Sequence, residues 1–263
     1  MRIISWNINS VRLRIRSVSR VLRQHQPDVL CLQEIKCVTE LFPSEGFRKL
    51  GYVHQLISGQ KGYHGVAIVS RIPLSETRVK AWCQRSDCRH VFATLPDGIE
   101  LHNVYAPAGG DLPDPDKNPK FAHKLQFFGD MARWFRRRGV RGAGGILVGD
   151  LNIAPLPNDV WSHKQLLRVV THTPVEIAAL EKLRASADWV DAARLFVPES
   201  EKLYTWWSYR APDWKRANKG RRLDHAWVTP KLRERVLAVN VLDRVRGWKL
   251  PSDHVPVQID LDL

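Results

Sequence analysis

The sequence predicts a mixed α/β fold built from two packed β-sheets with helices outside. Short apolar runs of strand length recur along the chain, helical periodicities lie between some of them, and polar residues close almost every run. Each such element has an apolar face to bury, so elements in this order stack in layers around a shared core. Residues 2–8, 29–32, 66–69, 91–95, 101–104 and 146–148 form a first set of expected strands, and 224–229, 238–242 and 255–261 a second. From Ser10, the expected N-cap of the first helix, Val11, Ile15, Val18 and Leu22 recur at helical spacing. Beside them Arg12, Arg16, Arg20 and Arg23 form a basic stripe, which reads first as a solvated face. A second helix is expected over 119–138, ended by Gly139, and a third over 174–185; residues 111–119 form a Pro/Asp-rich loop. No internal repeat or long linker divides the chain, so residues 1–263 are expected to form one domain.

A chain of 263 residues is long enough for one large core, and 44% hydrophobic composition excludes disorder as the default. It carries 41 Lys and Arg against 27 Asp and Glu, a formal charge of +14. That excess points to a polyanionic partner, nucleic acid ahead of a membrane surface, although many basic proteins have neither. No apolar run approaches the roughly 20 residues that cross a bilayer, and residues 1–6 contain no apolar signal region. No membrane partner is expected, and a cytoplasmic location is. Cys31, Cys37, Cys83 and Cys88 form no CxxC pair and show no zinc spacing with histidines, so free thiols are expected.

The chemistry-bearing residues gather at strand ends. Asn7 and Asn9 close the first expected strand, Gln33 and Glu34 the second, and Tyr105 the one before Ala106-Pro107. Asp150 and Asn152 follow residues 146–148, Asp224 opens a later strand, and Asp253 with His254 precedes the last. Rigid strand ends can aim all of these into one cleft. The inventory suits phosphodiester hydrolysis. A hard divalent cation needs oxygen ligands, which Glu34, Asp253 and the amide of Asn7 offer; Mg²⁺ keeps waters and takes few protein carboxylates. Asp150 can deprotonate the attacking water with Asn152 two residues on, a spacing that puts both side chains on one face. His254 can donate to a phosphate oxygen as charge develops, its tautomer fixed by a carboxylate, with Asp224 a candidate. No GxSxG motif is present, and no serine nucleophile is needed. Singly, an Asp at a strand end is most often a turn residue and a lone His structural; the joint pattern carries the argument.

Five motifs occur in a fixed order: Ser5-Trp6-Asn7-Ile8-Asn9-Ser10, Leu32-Gln33-Glu34-Ile35-Lys36, Gly149-Asp150-Leu151-Asn152-Ile153-Ala154-Pro155, Tyr204-Thr205-Trp206-Trp207 and Ser252-Asp253-His254-Val255-Pro256. On these the chain resembles, from end to end, the exonuclease III type of apurinic/apyrimidinic (AP) endonuclease. The resemblance implies a four-layer α/β sandwich, two packed mixed sheets flanked by helices, and a hydrolase of base excision repair. It implies cleavage 5′ to abasic sites in double-stranded DNA, with 3′-to-5′ exonuclease and 3′-end-cleaning activity on blocked 3′ ends. Mg²⁺ is the implied cofactor, with Mn²⁺ able to substitute, bound by Glu34 with Asn7 and Asp253 around the same ion. Asp150 would activate the water, Asn152 position it or the phosphate, Tyr105 contact the scissile phosphate, and Asp224 support His254. A monomer, associated with the nucleoid through its DNA, is expected.

From Trp206 to Arg222, basic residues alternate with aromatics, pairing phosphate contacts with a possible wedge beside an abasic sugar. Trp207 and Trp214 read equally well as core. Arg244, Arg246, Trp248 and Lys249 form a second contact loop, and the expected DNA contacts are Asn9, Trp206, Arg221, Arg222 and Trp248. Arginines 133, 136, 137, 138 and 141 suit a solvated helix end, where cations complement the dipole. Two positions depart from the family pattern: Ala108, where Asn or Gln is usual, and Arg221, where an apolar residue usually lines the abasic-sugar pocket. Both predict a shifted balance between internal incision and 3′-end processing. The rivals are a phosphoesterase acting on lipid, inositol phosphate or RNA, and a catalytically inert damage-binding module. The aromatic-basic stretch weighs against a lipid substrate, and intact Glu34, Asp150, Asn152 and His254 against the inert module.

Overall fold

Period-two alternation within the apolar runs builds four layers. The computed structural model describes residues 1–96, 98–211 and 213–263. Its strands are β1 (Arg2–Asn7), β2 (Val29–Gln33), β3 (His54–Ser58), β4 (Val66–Ser70), β5 (Ser75–Val79), β6 (His90–Thr94) and β7 (Ile99–Tyr105). They continue with β8 (Gly144–Asp150), β9 (Val190–Asp191), β10 (Trp206–Trp207), β11 (Gly220–Arg221), β12 (Asp224–Val228), β13 (Val236–Val241) and β14 (Val257–Leu261). One sheet runs β13-β14-β1-β2-β4-β3, the other β5-β6-β7-β8-β12-β9, and β10-β11 is a small ribbon. Each large sheet has one parallel pair, β1 with β2 and β7 with β8, among antiparallel neighbours.

Ile3, Val29, Cys31, Val66 and Ile68 face inward from the first sheet, against Val91, Leu101, Ile146, Val148 and Ala226 of the second. Their chain neighbours face outward. Ile4, Trp6, Leu30 and Leu32 pack on Val18, Val21 and Leu22 of α1 (Ile15–His25). Across the molecule, Val104, Leu147 and Trp227 meet a second helical layer. The short α2 (Ser44–Arg48) precedes it in the chain; the layer itself comprises Phe127, Phe128, Met131 and Phe135 of α3 (Pro119–Arg138), then, after α4 (His163–Leu166), Leu180 and Leu183 of α5 (Pro174–Arg184). A last turn, α6 (Trp214–Ala217), lies between β10 and β11. Central strands are thus covered on both faces, which is why they read as continuous apolar runs. The two expected sheets and outer helices are present.

Local sequence explains the helix limits. Asn118 accepts from Lys120 N, Pro119 occupies the first turn, and Gly139 at φ 66° ends α3. Thr173 and Glu176 form a reciprocal capping box on α5. Ser10, expected as the cap of the first helix, is not: it sits at φ 89° with its N–H on Glu34 O, and α1 begins only at Ile15 after a turn. That backbone bond ties residue 10 to the end of β2 instead. Five strands were not expected: the two-residue β9, β10 and β11, and the longer β3 and β5, which lack an apolar pattern. β5 is exposed throughout and β3 is mostly half-buried, and both are edge strands of their sheets.

One glycine sets the site. Gly149 has φ 142°, and a Cβ there would lie 1.9 Å from Val104 O. Only glycine lets β8 run this close to β7 and so places Asp150 beside Tyr105.

Candidate active site

Register brings the expected residues together. Tyr105 and Asp150 are partners across β7 and β8, and Asp150 and Asp224 across β8 and β12. In the other sheet Asn7 pairs with Gln33, leaving Glu34 as the next residue out. The amide nitrogen of Asn7 joins the sheets, donating to Glu34 Oε1 (3.0 Å) and Asp150 Oδ2 (2.9 Å). Tyr105 donates its hydroxyl to the same Glu34 oxygen at 2.8 Å. Asn152 donates from Nδ2 to Asp150 Oδ2 (3.1 Å) and Ala106 O (3.0 Å), and its backbone N–H to Asp150 Oδ1 (2.9 Å). His254 places Nδ1 2.8 Å from Asp224 Oδ2 and Nε2 3.7 Å from Asp150 Oδ2. Glu34 and Asn152 both adopt left-handed backbone, φ 50° and 53°. Glutamate gains nothing there locally; Ser10 N–H on Glu34 O and Ile35 N–H on Gly65 O hold it.

The charges follow from burial and neighbours. Burial pushes the Asp150 carboxyl up to about 7, against the pull of the His254 imidazolium. For His254 burial opposes charge, but Asp224 and Asp150 outweigh it and raise the imidazole to about 10. The ring is thus held toward its cationic form, with Nδ1 bonded to Asp224 and Nε2 facing Asp150. Burial also opposes ionisation of Glu34, yet Lys36 and the Asn7 amide hold it below the usual carboxylate range. Asp253 is likewise kept low: His254, Asn9 and Trp206 outweigh the cost of burial.

Oxygen donors for a hard cation are in place. Glu34 and Asp253 are held ionised, and Asn9 links them: its Nδ2 donates to Asp253 Oδ1 (3.0 Å), while its Oδ1 accepts from Lys36 Nζ (2.6 Å), which pairs with Glu34 Oε2 (2.8 Å). The Lys36 ammonium thus sits as a cation between Glu34 and Asn9, a position suited to a metal or its water. Asn7 turns its nitrogen, not its oxygen, toward the carboxylates. Among the described residues, Asp150, Asp224 and His254 also place three ligand atoms within 4.8 Å of one another. These three could hold a metal with His254 neutral; as an imidazolium, His254 is a proton donor instead.

The expected DNA contacts divide. Asn9 and Trp206 meet at Asp253, Trp206 donating Nε1 to Oδ2 at 2.9 Å. Arg221 lies over the Trp206 ring, 5.3 Å from its centroid, and donates to Val170 O (3.1 Å) and Thr171 Oγ1 (2.7 Å). With Ala108 and Thr171 they line a cavity of about 490 Å³. Trp248 packs against the core that α1 covers, with the Arg20 guanidinium over its ring. Arg222 needs correction: it is 1% exposed and locked to Asp159 (2.8 Å) and Asp191 (2.6 Å), so it presents nothing to a ligand. Of the two tryptophans with core alternatives, Trp207 is buried and Trp214 half-buried.

Three side chains went unsingled in the sequence. Thr205 donates to Asp224 Oδ2 at 2.6 Å and accepts from Leu223 and Asp224 N–H; its motif, Tyr204-Thr205-Trp206-Trp207, was the available signal. Lys36 likewise lies in a motif. Arg89, buried over the Tyr105 ring and bonded to Tyr105 O (3.3 Å), had no signal beyond being one of 41 cations.

Comparison with known proteins agrees with this geometry. Residues 4–254 match the endonuclease/exonuclease/phosphatase family. Exodeoxyribonuclease III of Haemophilus influenzae is 31% identical over 268 residues, covering 98% of each chain. Among solved structures, the 3′ phosphatase NExo from Neisseria, bound to a product DNA hairpin, superposes with TM-score 0.92 at 31% identity and 100% coverage of both chains. An AP endonuclease from Archaeoglobus fulgidus gives TM-score 0.92 at 30% identity, again over 100% of both. With its two mixed sheets, outer helices and strand-end acidic cluster, the chain belongs to the endonuclease/exonuclease/phosphatase family, on the exodeoxyribonuclease III branch.

Proposed function

We propose that this chain is a Mg²⁺-dependent DNA repair nuclease that incises duplex DNA 5′ to abasic sites and processes blocked 3′ ends. The observation that carries the reading is the convergence of Glu34, Asn7 and Asp150, joined by hydrogen bonds, with the His254-Asp224 pair, whose Nε2 faces Asp150 Oδ2 at 3.7 Å. Glu34 and Asp253, with Asn7 beside them, would hold a Mg²⁺ ion, which would supply Lewis-acid polarisation of the scissile phosphate. Asp150 takes the proton of the attacking water, which Asn152 orients. His254 donates Nε2–H to a phosphate oxygen as negative charge grows, while Asp224, anchored by Thr205, keeps Nδ1 protonated. Tyr105 offers its hydroxyl to the same phosphate. The water oxygen bonds to phosphorus, the P–O3′ bond breaks, and the departing 3′ oxygen takes a proton from solvent to remain as a 3′-hydroxyl.

DNA as substrate draws support from the similarity to exodeoxyribonuclease III, from the product DNA hairpin bound by the Neisseria enzyme and from the excess positive charge. No described helix is long and apolar enough to cross a membrane. On this reading a monomer works in the cytoplasm, on the nucleoid. The test is nicking of a duplex with one abasic analogue, with and without EDTA. Nicking is expected only with metal restored; metal-independent cleavage, or none with any metal, would overturn the reading.

Arg221 bears on which end is processed. Its guanidinium fills space between Trp206 and Thr171 where an abasic sugar would need apolar packing. Arg221→Trp with Ala108→Asn is expected to raise the ratio of internal incision to 3′-end processing by about tenfold, the scale of one or two pocket contacts. An unchanged ratio, measured on abasic and 3′-phosphate duplexes side by side, would dismiss the idea.

A further inference from the structure

A buried ion pair lies behind the hydrolytic cluster. Lys124 of α3 and Glu176 of α5 are both 0% exposed, with Nζ 2.5 Å from Glu176 Oε1. The ammonium also donates to the carbonyls of Asn152 (2.8 Å) and Ala108 (3.2 Å), so all three of its protons are used. Both Glu176 oxygens accept from Thr171 N–H at 3.0 Å, and Oε2 accepts from Thr173 Oγ1 at 2.6 Å. Capping α5 explains the carboxylate toward Thr173. It does not explain the lysine. A buried ion pair seldom adds net stability over an apolar pair of similar volume, so stability alone gives no reason for a cation here.

Position does give a reason. The ammonium joins segments whose backbone no sheet ladder holds. Asn152 is left-handed at φ 53°, and Thr171, a β-branched residue, sits at φ 93° with its carbonyl on Ala154 N–H. Ala108 and Thr171 are walls of the cavity that holds Arg221 and Trp206. We propose that Lys124, anchored by Glu176, is a positioning residue that locks the Asn152 peptide and so keeps the Asn152 amide on Asp150. The inference rests on the proposed hydrolytic role of Asn152. With the carbonyl released, the Asn152 turn loses its tie to α3 and can shift as a unit, carrying Cα and with it Nδ2 away from Asp150 Oδ2, and displacements near 1 Å in such groups cost on the order of 10²-fold in rate.

The test compares kcat, KM and melting temperature of the full chain on an abasic duplex. Lys124→Met combined with Glu176→Gln leaves no uncompensated buried charge. It is expected to melt near the parent and keep KM within about threefold, while kcat falls about 30-fold. A folded double variant with kcat within about twofold of the parent overturns the proposal. Should that variant not fold, Glu176→Gln alone carries the test: kcat is expected to fall about fivefold at constant KM, and an unchanged kcat overturns the proposal. If both unfold, the pair belongs to the fold and the positioning role is overturned. Asn152→Ala measured alongside separates the two ideas. Unchanged kcat there defeats the hydrolytic role of Asn152; a loss there without one in the pair variants defeats only the positioning role.

Discussion

Asp150→Asn is expected to lower kcat on an abasic duplex by about 10²–10⁴-fold, the span a positioned general base contributes. Affinity for the same duplex is expected to change by less than about threefold, because the loss falls on the transition state rather than on binding. The geometry sets this apart from an ordinary surface change. Asp150 is 1% exposed and accepts from Asn7, Asn152 and the Asn152 backbone, and its carboxyl is pushed up to about 7 by burial. Asparagine keeps the shape and part of the network but cannot take a proton from water. Single-turnover nicking with fluorescence anisotropy separates rate from affinity. Retained turnover would remove Asp150 as the base.

Arg222→Met is expected to destabilise the chain by about 3–5 kcal/mol, because it breaks a buried ion-pair network by removing its central partner. Arg194 still reaches Asp159 at 2.5 Å, so Asp191, partly buried and paired with Arg222 at 2.6 Å, is the acid left without its partner. At this chain length the loss corresponds to a melting-point drop of roughly 10 °C. Thermal melting monitored by circular dichroism checks it. A surface DNA contact would behave oppositely, with an unchanged melting point and weaker binding, so that pattern would restore Arg222 to the interface.

The central strands were legible because two-sided burial makes their apolar runs continuous, and α3 because Asn118, Pro119 and Gly139 mark its ends in sequence. Edge strands β3 and β5 were not, since nothing covers their faces fully and their side chains need no pattern. The candidate site was legible by motif. Asn7, Glu34, Tyr105, Asp150, Asn152, Asp224, His254 and Asp253 do converge, while Arg222 failed because an arginine at the end of a basic-aromatic stretch looks alike whether it faces solvent or two aspartates.

Local sequence by itself determined the central strands, the course of the long helices and which side chains carried acid, base and cation chemistry. A charge of +14 named only a polyanion. Tertiary structure alone decided where those charges act: Arg222 and Lys124 are spent inside, Arg221 stands in the cavity, and Lys36 sits on the acidic pole at Glu34. It also decided protonation. Glu34 and Asp150 are carboxylates joined through one Asn7 amide, yet a lysine beside the first holds it ionised and burial drives the second toward neutrality. Composition cannot encode that difference, because it arises from desolvation and distance, which exist only once the two sheets have packed.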